Sequence, residues 1–252
     1  MFVLAIHPGV GMAQQVQNDA TAPLHLMKPD YKYPYGVPKA ADVKATMDRV
    51  KNYLEAATFA ELDDTGRQLR RGDYRLTSYE WGVTYSAMLR AGELTGDASY
   101  TRYATDRMLF LARQAPKFRA WMDKGEQIDP LMRQVVSPGA LDDAGAISCA
   151  MMKARRLLTM NNEQLTLNNE RLSKHDGQLL DEQIERYYDF IANKQYRYRD
   201  GQFARMRPVA NTVWLDDMFM GIPALALHGN MDEAVRQFYL FHDKMWVPGK
   251  GL

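Results

Sequence analysis

A single cysteine, Cys149, in a chain of 252 residues excludes an internal disulfide and any metal centre built from a cysteine cluster. Its neighbours Ile147, Met151 and Met152 mark it as a small buried apolar residue rather than a nucleophile. Charge of one sign is missing as well. Against 32 Lys and Arg stand 31 Asp and Glu, and a net charge of +1 gives the chain as a whole no electrostatic hold on nucleic acid or on an anionic membrane. No apolar run approaches the roughly 18 residues that a membrane span needs. Histidines at metal-ligand spacing are absent, and so is convincing period-two alternation, which leaves no candidate strand. What is present is ordinary for a globular protein with a sizeable core: 46% hydrophobic and 25% charged residues.

The chain divides into three stretches. Residues 1–13 form a short apolar run ending in Gly11-Met12-Ala13, a small-x-small pattern that reads as a partial signal peptide without its basic n-region and predicts a periplasmic or secreted protein. Residues 14–41 are rich in Pro and Tyr and read as an irregular lead-in. From 42 to 252 the apolar spacing is helical. Helices are predicted over Asp42–Ala57, Tyr79–Leu94, from Asp97 through Leu111, from a Ser137 cap through Leu158, over Gln178–Asn193, over Thr212–His228 and over Asp232–Trp246, with Asn161–Gly177 polar and irregular. About seven helices in antiparallel pairs make an all-α protein.

The stretch Asn211–Ala226 (N-T-V-W-L-D-D-M-F-M-G-I-P-A-L-A) is the most informative. It is apolar almost throughout yet carries Asp216 and Asp217, and carboxylates among Trp, Leu, Met and Phe are costly unless paired, protonated or exposed in a cleft. Asn211 reads as an N-cap, which places Asp216 at the fifth helical position, beyond the turn where the helix dipole favours an acid. Pro223 predicts a kink or stop near Met220–Ile222. A weak internal repeat accompanies it. Leu141-Asp142-Asp143-Ala144 follows Ser137 by the interval at which Leu215-Asp216-Asp217-Met218 follows Asn211, and Tyr79-Glu80-Trp81-Gly82 opens another apolar helix with an acid near its start. Helices with acids at one shared end predict a toroid of hairpins whose inner N-termini meet around one pocket.

W-L-D-D-M-F-M at Trp214–Met220, L-D-D-A-G at Leu141–Gly145, Y-E-W-G at Tyr79–Gly82 and E-L-T-G-D-A-S-Y at Glu93–Tyr100 resemble glycoside hydrolase families 88 and 105, the unsaturated uronyl and rhamnogalacturonyl hydrolases. The resemblance runs from about Asp42 to the end of the chain and implies an (α/α)6 barrel of twelve helices. With about seven helices, and an end at Pro248–Leu252 inside an apparent turn, the sequence reads as an incomplete barrel lacking its last hairpins. The implied substrate is an oligosaccharide left by a polysaccharide lyase, with a 4,5-unsaturated uronic acid at its non-reducing end. In the implied reaction an aspartate protonates C4 and helps water add at C5, and the hemiketal opens to release the rest of the sugar.

The resemblance places the acid/base at Asp216 and the second aspartate at Asp143 or Asp142, with Asp143 nearer the family's Asp-x-Gly form. The substrate's carboxylate calls for a cation, and Arg205 and Arg207 in F-A-R-M-R-P are placed for it. Trp214 and Trp81 are candidates for stacking on sugar faces. No cofactor, metal, nucleic-acid partner or membrane span is implied. The family pattern often has His and Lys where this chain has Arg205 and Arg207, which leaves the exact sugar open. Two alternatives stand beside this reading: another (α/α)6 glycosidase working with two carboxylates across the scissile bond, and an inactive truncated remnant of such an enzyme.

Overall fold

The computed structural model describes residues 37–160, 166–167, 170–171 and 173–250. The signal-peptide reading of residues 1–13, most of the lead-in and part of the irregular stretch after residue 160 lie outside the described residues. Two compact units are present, 1–44 and 45–252. In the first, the Lys39 carbonyl accepts N–H bonds from Asp42 (3.0 Å) and Val43 (3.1 Å) as helix α1 (Ala40–Ala57) begins.

The second unit is built from helical hairpins in two layers. Helices α2 (Tyr79–Thr95), α5 (Leu141–Met160) and α7 (Leu215–His228) pack side by side as one layer. Helices α3 (Ala98–Asp123), α6 (Lys174–Asp189) and α8 (Met231–Met245) back them, each in contact with the helix it pairs with. The turn between α2 and α3 is made by Gly96 at φ 71°, whose N–H caps the Gly92 carbonyl, while the Asp97 carboxylate accepts the Ser99 N–H to start α3. The core runs between the layers through Tyr85, Leu89, Tyr100, Tyr103, Met108, Met132, Ile147, Met151, Leu180 and Phe241. Among the described residues the strand pairing is confined to Thr166–Leu167 with Glu170–Arg171 and three isolated bridges, so the chain is all-α.

Glycines set how closely the first layer packs. A Cβ on Gly82 would lie 2.3 Å from the Ala146 carbonyl carbon, and one on Gly145 would lie 2.4 Å from the Met220 carbonyl oxygen. Backbone therefore meets backbone near the starts of α2, α5 and α7, and the three helices run parallel with their N-terminal turns together.

Several predicted boundaries are corrected. Asn211 does not cap a helix: it takes φ 57° in the turn of a hairpin closed by Arg205 and Thr212, and its Oδ1 accepts the Tyr196 hydroxyl at 2.6 Å. Helix α7 starts at Leu215, so Asp216 and Asp217 fall in its first turn. Ser137 closes a short helix, α4 (Pro130–Val136), that is too brief to leave a periodic trace. Helix α6 begins four residues before the predicted start, because Ser173 and Asp176 form a capping box. Pro223 does not stop α7, since Met220 and Gly221 before it and Ala224 and Leu225 after it are all buried and hold the helix across the missing donor.

The buried Arg107 fastens the end of α1. Its Nη2 donates to the carbonyls of Glu55 (3.1 Å) and Thr58 (2.8 Å), its Nε to the Thr58 hydroxyl (2.9 Å), and its guanidinium lies 3.9 Å from the centre of the Tyr103 ring. A cation at a helix C-terminus also meets the negative end of the dipole. Arg107→Met strands these carbonyls and is expected to lower stability by about 3 kcal/mol. A urea midpoint that falls at unchanged slope checks this, and an unmoved midpoint would refute it.

Candidate active site

The first turns of three helices deliver five carboxylates to one end of the layer: Glu80 from α2, Asp142 and Asp143 from α5, and Asp216 and Asp217 from α7. Because α7 starts at Leu215, its two acids share the setting of those on α2 and α5. Each sits at the positive end of a helix dipole, where a carboxylate is favoured by about 0.3–1 kcal/mol. The internal repeat is kept in the hydrogen bonds. Asp142 Oδ1 accepts the Asp143 N–H at 2.8 Å, and Asp216 Oδ1 accepts the Asp217 N–H at 3.0 Å.

Arg205 joins the two repeats. Its Nε donates to Asp217 Oδ2 at 2.5 Å, and its Nη2 reaches Asp217 Oδ1 at 2.8 Å, Asp142 Oδ2 at 2.8 Å and Asp216 Oδ2 at 3.0 Å. Carboxylate oxygens of Asp142, Asp216 and Asp217 lie within 4.8 Å of one another, and the guanidinium fills the space they surround. Its other face lies against the Trp214 ring, 4.4 Å from the ring centre. The backbone of Arg205 is fixed by reciprocal bonds with Thr212, at 2.8 and 3.3 Å. Burial opposes the charge of Arg205, but the bonds to Asp217 and the charges of Asp217, Asp142 and Asp216 outweigh it and raise its pKa.

The acids differ in their surroundings. Asp217 has a side chain only 1% exposed, and burial pushes its carboxyl above the usual range while Arg205 pulls against the shift. Asp143 stands outside the reach of the guanidinium bonds. Its Oδ1 accepts the Tyr79 N–H at 2.8 Å, and burial, with the charge of Asp142 behind it, raises its pKa. The side chain of Asp216 is 40% exposed, the most open of the three that touch Arg205. The charge of Glu80, followed by burial and by Asp142 and Asp216, raises the Tyr79 phenol.

A cavity of about 1110 Å³ opens beside these groups. Its wall includes Tyr79, Glu80, Asp142, Asp143 and Arg205, with Arg75, Arg133, Lys194 and Arg207 contributing positive charge. A cavity of that size admits a sugar of more than one ring.

Most of the residues singled out in the sequence are brought together. Asp216, Asp142, Arg205 and Trp214 form one cluster, Asp143 adjoins it, and Arg207 lines the same cavity. Arg205, expected to bind the substrate's carboxylate, is instead occupied by the protein's own acids. Trp81 is not brought to the cavity. It is 8% exposed in the core, between Tyr74 and Tyr85 with ring centres 5.6 and 6.1 Å away, because α2 turns that face inward. Cys149 faces apolar neighbours, and burial pushes its thiol up to about 12, which removes it as a nucleophile. Glu80 and Tyr79 escaped sequence reasoning as site residues. The repeat of an acid at a helix start was the available sign for Glu80, and for Tyr79 it was the Y-E-W-G motif that this residue opens.

The sequence profile described as Glycosyl Hydrolase Family 88 matches residues 46–252, a span that holds every residue of this cluster. No curated protein matches the chain.

Proposed function

The chain belongs to glycoside hydrolase family 88, and from that premise we propose that it removes a 4,5-unsaturated uronic acid from the non-reducing end of an oligosaccharide by hydrating the double bond. The observation that carries this reading is the gathering of Asp142, Asp143, Asp216 and Arg205 at one end of three helices, beside a cavity that also presents Arg207. An enol ether gives way to acid and water: a carboxylic acid donates a proton to C4, and water, losing a proton to a carboxylate, adds its hydroxyl to C5. The C5 hemiketal then opens. The ring oxygen stays on C1 as the hydroxyl of a hemiacetal, which expels the linked sugar as an alcohol.

In this reading Asp216 is the acid/base, because it is the most open of the three carboxylates that touch Arg205, and Asp143, which lines the cavity, is its partner. Burial and the charge of Asp142 raise the Asp143 carboxyl above the usual range, which favours its protonated form relative to a free carboxylate. Arg207 receives the substrate's carboxylate. It is exposed, lines the cavity and has no carboxylate partner among the described residues. Trp214, 38% exposed, offers a ring to a sugar face. Export to the periplasm or the medium belongs to the same proposal and rests on residues 1–13.

The test is to incubate the protein with an unsaturated uronyl disaccharide. Hydration consumes the conjugated double bond, so its absorbance falls as the second sugar appears. Release of the sugar with the absorbance retained would identify direct cleavage of the glycosidic bond instead. Arg207→Ala is expected to raise KM for the charged disaccharide by about 10-fold or more, the scale of one charge-assisted contact. An analogue lacking the carboxylate should feel little of that change, and equal losses on both would give Arg207 a structural role.

A further inference from the structure

We propose that Arg205 is a positioning residue for the reaction: anchored on Asp217, it bridges the first turns of α5 and α7 and presents Asp142 and Asp216 to the substrate in one fixed arrangement. This inference rests on the activity proposed above. Three features of the geometry point to it.

The grip on Asp217 is bidentate, at 2.5 and 2.8 Å, and Asp217 is almost wholly buried, so this pair faces inward and serves as the anchor. The anchor itself is set on rigid parts, a hairpin rung with Thr212 on one side and the Trp214 ring on the other. Finally, Nη2 carries two hydrogens but meets three carboxylate oxygens, those of Asp217, Asp142 and Asp216. One contact must be shared, and the longest, 3.0 Å, is to Asp216. The acid with the greatest exposure is thus the one held most loosely. It can exchange its bond to Arg205 for a bond to substrate or for a proton, while Asp142 and Asp217 keep the guanidinium in place.

Charge supports the same role. Arg205 is the cation in contact with Asp142, Asp216 and Asp217, while Asp143, Glu80 and the Tyr79 phenol face the cluster from α5 and α2, and Arg75 lies near Asp143. Without Arg205 the ionised cluster repels itself, and the buried Asp217 is left without a partner.

The experiment compares wild type, Arg205→Lys, and the double variant Arg205→Met/Asp217→Asn, in which the buried charge and its partner leave together so that the fold survives. On the unsaturated disaccharide the double variant is expected to lose about 10²–10³-fold in kcat with KM within about 3-fold, the scale of one preorganised electrostatic contact. The limb of its pH profile that belongs to the acid cluster should move to higher pH, since the lost cation bonds Asp142 and Asp216 directly and its loss outweighs the simultaneous loss of the Asp217 charge. Arg205→Lys keeps the charge without the fork and should fall between the two. A double variant that folds, with wild-type kcat and an unmoved profile, overturns the proposal. So does a loss confined to KM for charged substrates, which would make Arg205 a substrate clamp. If wild type leaves the disaccharide untouched, the activity reading fails by itself, and the carboxyl carbon of Asp217, followed by NMR through a pH titration, still decides the part played by the two-pronged anchor. It should titrate higher in Arg205→Lys than in wild type, and coincident curves refute that part.

Discussion

Asp216→Asn should leave a folded protein that no longer consumes the conjugated double bond. The amide is nearly the size of the carboxylate, and its oxygen can still accept the Asp217 N–H that Asp216 Oδ1 accepts at 3.0 Å, so the first turn of α7 stays intact. What disappears is the proton that the side chain exchanges with substrate and water. General acid/base catalysis contributes roughly 10²–10⁴-fold, and a loss of that size in kcat is expected. Asp143→Asn should fall in the same range. Asp142→Asn should be milder, because the Asp142 side chain is 13% exposed against 40% for Asp216 and is held closer by Arg205, at 2.8 Å against 3.0 Å. The assay is the rate of absorbance loss, with melting temperature as the control for folding. Activity of Asp216→Asn within about 3-fold of wild type would remove Asp216 from the chemistry and return the acid/base role to the α5 pair.

Gly145→Ala is expected to damage both stability and activity, through one contact. The added Cβ would lie 2.4 Å from the Met220 carbonyl oxygen and 2.7 Å from its carbon, and neither is a side chain that can swing away. Helices α5 and α7 must therefore part. Overpacking of this kind costs about 1–3 kcal/mol. The same separation moves Asp142 away from Asp216, and a displacement of about 1 Å at reacting groups costs on the order of 10²-fold in rate. Gly221→Ala is the matched comparison on the facing helix. Its Cβ would meet side-chain atoms of Leu141 and Phe203 at 3.2 Å, which can yield by a few tenths of an ångström. Urea midpoints and kcat measured on both variants separate the two cases. If Gly145→Ala proves as stable and as active as Gly221→Ala, the close approach of α5 and α7 does not govern the site.

Local chemistry is what sequence determined about this protein. The helical period of apolar residues from Asp42 onward and the acids at the starts of apolar helices depend on residues a few positions apart, so they are legible without a fold. The same is true of the family, which rests on short motifs, and of Asp142, Asp143 and Asp216 as the acids of interest. Boundaries were less legible where a competing interaction won. Asn211 has the composition of a cap, yet the hydroxyl of Tyr196, 15 positions away, holds it in a turn and shifts the start of α7 to Leu215. Trp81 has the composition of a sugar platform, but which face of α2 turns inward follows from the helices packed on it, and the ring is enclosed in the core.

The partner of Arg205 was decided by tertiary structure alone. Sequence places Arg205 near Asp216 and Asp217 but says nothing of Asp142, 63 positions earlier, and nothing of a shared guanidinium. A cation on a loop is equally compatible with solvent, substrate or protein acids. The choice is made only when Gly145 lets α5 lie against α7 and brings two dipole-favoured first turns within reach of one side chain.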